Sequence, residues 1–506
     1  MIRRALIAAL SLALLLAPAV PAGAADSFTF FGSGWGHGLG LSQWGAYGLS
    51  EQGWGTGRIL THFYSGTRVT SEAQPPRLVR VGLAQGRARF RLSALGGAVD
   101  LRLGDRDPAS TIATIPDGET WTVRLVQGSY RLIDATGTAV GDPVGGTAMN
   151  LYAVFEPNGA VLKVPETGHT YAHGWLEFNI YGCATTCVMR LVLAVAPQPY
   201  LYGIGEVPSS WPTASLRAQA IAARTYAFRK IRSTGQHRPG CNCALFASPI
   251  DQVYVGYDKE AGYLGDRWVA AVDATKDRVV TYRGTLIEAY YSASSGGFTE
   301  NNENVWGGTP VPYLRGVCDP GDYTIANPNA VWKTVLTAKQ VTARLGLGIG
   351  RVTGFGETVR GVSGRIVSVI VKGTTGRASV AGGTLRAALG LPDDRVWINH
   401  NRQVTGTIRQ KYDAIDCRSG LPTSRRVRVA GGARQVFQLG TIFAKDGIGA
   451  HEVRGTVLAF YRKHGGPRGS LGFPITDTHR LKNGNTRSRF EHGTVTCRPS
   501  GSCWRS

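Results

Sequence analysis

After its first 25 residues the 506-residue sequence has no apolar run long enough to cross a bilayer; 191–204 is interrupted by Pro197 and Pro199. A membrane-spanning chain is therefore not expected. Acidic residues are scarce as well: 34 Asp and Glu stand against 56 Lys and Arg, a net charge of +22. That imbalance points to an acidic polymer or surface as partner. The 68 glycines follow no G-X-Y period, which excludes collagen, and 43% hydrophobic content excludes a disordered chain. No HExxH metalloprotease motif occurs, since His451-Glu452 stops there, and no G-x-S-x-G elbow surrounds Ser294 or Ser295. Gly32-x-Gly34 mimics a dinucleotide fingerprint but opens no βαβ unit.

What is present begins with residues 1–25. Arg3 and Arg4, the apolar run 5–16 and Ala22-Gly23-Ala24 predict a secretory signal peptide. A secreted, wall-associated location is expected, which disfavours nucleic acid and favours anionic cell-wall polymers such as peptidoglycan and teichoic acid. Eight cysteines in an exported chain read as disulfides. Clustering pairs Cys497 with Cys503 and Cys318 with Cys417, leaving Cys183, Cys187, Cys241 and Cys243 to pair among themselves. The alternative is a zinc site built from His237, Cys241 and Cys243, with Cys183 or Cys187 as fourth ligand. Compartment favours disulfides, the spacing fits no standard finger, and no cofactor is otherwise expected.

The length predicts about three domains, and the pattern an α+β, β-rich multi-domain chain. Segments LVRVGLA, ARFRLSAL, TWTVRLV and SYRLIDA, alternating and separated by Gly and Asp turns, make 71–168 an all-β insert. It separates a leading segment, 26–70, from a main domain, 169–418. A basic, polar linker at 419–430 leads to a C-terminal module, 431–506. One helix is clear, with Thr213 as N-cap and Leu216, Ala220, Ala223, Ala227 and Ile231 on one face. In the last module Phe437-Gln-Leu-Gly440-Thr-Ile442 returns as Phe490-Glu-His-Gly493-Thr-Val495, predicting a β-hairpin unit that opens and closes with one signature.

One carboxylate stands out. Glu206, in YLYGIGEVPSSWP, sits among apolar, glycine and aromatic neighbours just before that helix. Desolvation there raises a carboxyl pKa toward what a general acid needs near neutrality, while a helix N-terminus pointing at it lowers the value. Residues 200–232 resemble the signature of the SpoIID/LytB family (stage II sporulation protein D and amidase enhancers). So do Gln252-Val-Tyr-Val-Gly256, Tyr291-Ser-Ala-Ser-Ser-Gly-Gly297, Val305-Trp306-Gly307 and Gly36-His37-Gly-Leu-Gly-Leu-Ser42-Gln43-Trp44. The last block usually follows the helix; here it leads, as in a circularly permuted domain. The tract around Leu471-Gly-Phe-Pro474 resembles the LGFP repeat of actinobacterial exported proteins, taken to hold enzymes at the wall.

The resemblance implies a lytic transglycosylase that cleaves MurNAc-β-1,4-GlcNAc bonds in peptidoglycan glycan strands, with Glu206 as sole acid/base. The rival implication is a non-catalytic glycan-binding enhancer of a cell-wall amidase. Expected groove residues are Trp35, His37, Ser42, Gln43, Tyr202, Ser294, Ser295 and Thr299, with Gln219, Arg224 and Tyr226 on the helix to orient the acid. All of this requires the leading block to dock beside Glu206.

Overall fold

The strand Ser27–Gly32 alternates buried Phe28 and Phe30 with outward residues, the period-2 pattern of a half-buried strand. It lies antiparallel between Trp332–Thr337 and Val396–Ile398, so the first described residues are the centre of a sheet built from the distant end of the main domain. Phe28 and Phe30 pack with Leu336, Ile366 and Leu385, and the ring of Phe355 meets Phe28 edge-on at 5.1 Å. This computed structural model describes residues 26–506; the expected signal peptide lies outside them. Among the described residues no helix is long and apolar enough to cross a membrane.

From there the leading block is threaded through the main domain. Leu41–Ser42 pairs in parallel with Tyr291–Ser292. Helix α1 (Gln43–Glu51) packs on the long helix α2 (Thr213–Thr234), and Arg68–Ser71 pairs with Arg278–Tyr282. Thr213 is the first residue of α2 rather than its N-cap: Pro212 occupies that position and no side chain caps the end. The expected apolar face is present, but burial runs almost all round the helix from Ser215 to Phe228. This is a central core helix, and the small alanines let neighbours approach it from several sides.

The insert is a sandwich of two layers, antiparallel except where Leu245–Phe246 joins Val79–Arg87 in parallel. A six-stranded sheet faces a seven-stranded one; Phe90 of the first meets Phe178 of the second at 5.7 Å, and the Tyr130 hydroxyl donates to the Phe178 carbonyl at 2.9 Å. The seven-stranded sheet joins Val79–Arg87 and Leu151–Val154 to Trp175–Tyr181 and Val188–Val195. It therefore runs across the boundary expected at 168. The physical reason is an edge problem: neither set of strands buries its apolar face without the other.

The C-terminal module begins earlier than the expected linker allows. Ser419 is fully buried and its hydroxyl donates to Glu452, and Val427–Val429 is the edge strand of a four-stranded sheet. Both copies of the Phe-x-x-Gly echo form hairpin turns, one between Gly432–Val436 and Gly440–Lys445, the other between Thr486–Phe490 and Gly493–Cys497. Helix α3 (Gly406–Ala414) packs on this module, and Cys318–Cys417 ties its base to the main domain. Converting both Cys318 and Cys417 to serine should lower stability by about 2–4 kcal/mol, because that bridge closes a loop of sequence separation 99. Denaturant unfolding of the full chain measures this, and the same change at Cys241 and Cys243, separated by 2, should cost less.

Candidate active site

Four glycines with positive φ, Gly34 to Gly40 at alternate positions, coil the chain between the first strand and α1. All four are required by space as well. A Cβ on Gly36 would lie 2.6 Å from the Ser292 side chain, and one on Gly38 would lie 2.1 Å from the Arg365 guanidinium. The coil delivers Trp35, His37 and Gln43 to one cleft of about 410 Å³, whose opposite wall carries Glu206, Tyr226, Asp251 and Tyr291. Trp35, 51% exposed, and Trp306, 54% exposed, give it aromatic surfaces. The leading block is thus beside Glu206.

Glu206 follows a short helix, Pro197–Tyr202, and its two oxygens have different surroundings. Oε1 accepts from the Val253 amide at 2.7 Å and from the Tyr291 hydroxyl at 3.2 Å. Among the described residues Oε2 accepts only from the Gln43 amide nitrogen, at 3.4 Å. Burial raises the carboxyl pKa above its ordinary value, against the pull of the Val253, Gln43 and Tyr291 hydrogen bonds. Desolvation wins because all three donors are neutral.

Behind Glu206 runs a chain of neutral hydrogen bonds. Tyr200 donates to Gln252 Oε1 at 2.7 Å, and Gln252 Nε2 donates to the Tyr291 hydroxyl at 2.8 Å. The Tyr291 proton therefore points to Glu206, and burial keeps that phenol protonated far above neutral pH. Tyr291 and Gln252 were not among the expected site residues. Both stand inside quoted motifs, but nothing in one dimension tells a phenol that touches the acid from one that fills the core.

The second cleft carboxylate has the opposite fate. Asp251 is buried, which by itself raises its pKa, yet the Phe246 amide, Arg238 and Lys230 hold it below the ordinary value. Tyr226 donates to it at 3.0 Å. His37 accepts the Leu39 amide on Nδ1 at 3.0 Å, and burial with Arg365 and Arg386 nearby pushes its pKa down to about 3. It is neutral, with its proton on Nε2.

Several expected groove residues belong to the scaffold instead. Ser42 is the N-cap of α1: its hydroxyl accepts from the Gly45 and Ser295 amides and donates to Asp322, each at 3.1 Å. Ser294 and Ser295 are fully buried and donate to Asp322 and Asp319 at 2.9 and 2.6 Å. Thr299 accepts from the Val317 amide at 2.8 Å. Tyr202 donates to Asp273 at 2.6 Å, away from the cleft. Arg224 binds the carbonyls of Val272 and Arg278 and anchors α2 without touching Glu206. Gln219 is buried in α2 with no side-chain hydrogen-bond partner among the described residues. Hydroxyl-rich glycine turns look alike in sequence whether they face a groove or cap a helix.

The cysteines that the zinc alternative needs are paired in this structure. Cys241 bonds Cys243 and Cys183 bonds Cys187, so no thiolate is left to join His237, whose Nδ1 lies 2.7 Å from Asn242 Oδ1. Cys318, Asp413 and Cys417 also lie together, but both of those sulfurs are bridged as well.

This is an aromatic cleft in which one of two carboxyl groups, Glu206, has no cationic partner among the described residues. Residues 188–282, which include Glu206 and α2, match the family model described as stage II sporulation protein, SpoIID, and residues 420–469 match the LGFP repeat. The chain therefore carries a SpoIID domain and an LGFP repeat. The amidase enhancer of Bacillus subtilis is 36% identical over 139 residues, 28% of this chain and 17% of that protein. Stage II sporulation protein D of Bacillus subtilis is 26% identical over 249 residues, 46% of this chain and 68% of that protein. The chain thus spans less than a fifth of the amidase enhancer.

Two outcomes follow from the electrostatics. Tyr291→Phe removes one donor that holds the Glu206 pKa down, so that pKa should rise further, read by carboxyl-carbon NMR titration. Asp319, buried against Asp322, has its pKa pushed up to about 8 by desolvation and by that neighbour's charge. The folded state then keeps a proton that the unfolded chain releases near pH 4. Stability from this pair is full below pH 4 and declines as pH rises toward 8. Asp319→Asn should flatten the decline in urea midpoint between pH 5 and 8.

Proposed function

We propose that this protein is exported, associates with the cell wall and cleaves peptidoglycan glycan strands as a lytic transglycosylase, with Glu206 as its acid/base. The observation that carries the reading is the environment of Glu206: a raised carboxyl pKa, three neutral donors and an aromatic cleft. Asp251, the other acid in the cleft, is held in ion pairs with Arg238 and Lys230. A hydrolase needs a second working carboxylate, as base or nucleophile. A transglycosylase does not, because the sugar supplies its own nucleophile.

In this mechanism the acid proton resides on Oε2, since Oε1 is already filled by two donors. Oε2–H protonates the glycosidic oxygen as the C1–O bond of MurNAc breaks. The resulting carboxylate accepts the proton of that sugar's 6-hydroxyl, whose oxygen bonds to C1. The product is a 1,6-anhydro ring, no water is consumed and Glu206 ends protonated. Gln43 orients Oε2, and Trp35 and Trp306 offer flat faces to pyranose rings. The LGFP repeat and the net positive charge support a wall-binding role for the C-terminal module toward anionic polymers.

The name of the amidase enhancer relative favours a second reading, in which the cleft binds glycan and stimulates a separate amidase. One digest separates the two. Purified glycan strands incubated with the protein should yield anhydro-muramic ends by mass spectrometry, and Glu206→Gln should lower their rate by at least about 100-fold. No such ends, with faster release when an amidase is added, would leave the enhancer.

A further inference from the structure

A second cleft, of about 620 Å³, lies on the seven-stranded sheet. Along Trp175–Tyr181 the even residues Leu176, Phe178 and Ile180 enter the sandwich core, so Trp175, Glu177 and Asn179 face the other way. Loop 236–243 crosses this outer face, fixed by Cys241–Cys243 against Val192. The cleft floor is a closed polar network. Arg80 binds both oxygens of buried Glu177 at 2.8 and 2.9 Å, and Glu177 also accepts from the amides of Asn150, Asn179 and Asn242. Nothing on that floor is left to bind a ligand, but it rigidifies what stands above it.

What stands above has unused chemistry. Arg106 lies over the Trp175 ring at 3.7 Å and Arg77 stands at the rim. Neither has a carboxylate partner among the described residues. Asn242 gives its amide protons to Glu177 and Asn179, so its Oδ1 accepts from His237 Nδ1. His237 Nε2 has no partner among the described residues, and the Tyr152 hydroxyl, which accepts the Asn150 amide at 3.4 Å, is free to donate. Two guanidinium groups without a carboxylate partner among the described residues, one imidazole nitrogen, one hydroxyl and the indole beneath Arg106 line the cleft.

We propose that this cleft is a second saccharide site, taking a pyranose that carries a carboxylate. The guanidinium groups of Arg77 and Arg106 pair with the carboxylate, His237 and Tyr152 meet ring hydroxyls, and the Trp175 ring supports the Arg106 guanidinium from beneath, so that it reports what binds there. The site is joined to the first cleft by one loop. Residues 236–251 contribute His237 and Asn242 here and Pro249, Ile250 and Asp251 there, and Arg238 pairs with Asp251 between them. The choice of muramic acid as probe rests on the peptidoglycan reading; the demand for an acidic sugar comes from these residues alone.

The test follows the Trp175 indole proton in the full chain carrying Glu206→Gln, assigned by its loss in Trp175→Phe. N-acetylmuramic acid should shift it saturably, with N-acetylglucosamine and acetate at least tenfold weaker. Arg106→Ala, in an exposed loop, should weaken the muramic acid response tenfold or more. An unmoved indole, an equal response to acetate (an adventitious anion only), or an unaffected Arg106→Ala variant overturns the site. Cleavage plays no part in this readout, so failure of the catalytic reading leaves it standing, and the reverse.

Discussion

The cleft depends on one buried hydroxyl. Ser42 Oγ caps α1, accepts the Ser295 amide and donates to Asp322, and so fastens the leading block to two loops some 250 residues further along the chain. Without that node Gln43 has no fixed position, and Oε2 of Glu206 loses its single neighbour. A serine that reads as a groove residue is instead the joint on which the groove is assembled. The node is buried, which raises the pKa of Asp322 and of its neighbour Asp319, and rigidity comes from hydroxyl-to-carboxyl bonds that are shielded from water.

The two acids of the cleft show how environment sorts chemically similar side chains. Both are desolvated. Asp251 is surrounded by Arg238, Lys230 and an amide and is held as an anion; Glu206 is surrounded by a tyrosine, a glutamine and an amide and is held toward the acid form. Charge on the donors decides the difference, because a cation rewards ionisation far more than a neutral dipole does. The division leaves one group free for proton transfer, which is the number that an intramolecular nucleophile requires.

Local patterns were readable wherever the cause is local. The alternating Phe28 and Phe30, the alanine-rich helix after Pro212, the hairpin turns at Phe437 and Phe490 and the clustered cysteines all carry their reasons within a few residues. The insert boundary at 168 was not readable, because strand pairing across it depends on which distant edge covers which apolar face. Nor were Tyr202, Ser294, Ser295 and Thr299: their partners Asp273, Asp322, Asp319 and Val317 lie elsewhere in the chain, and hydroxyls are equally suited to sugar or carboxylate.

The sequence by itself determined which residue types were available: one acid in apolar surroundings, a glycine-rich aromatic block and paired cysteines. Tertiary structure alone decided that the block meets the acid, that Asp251 is silenced, and that Tyr291 and Gln252 stand behind Glu206. The reason is range. Backbone preference and periodicity act within a few residues, whereas desolvation and hydrogen-bond direction depend on every segment that closes over a side chain.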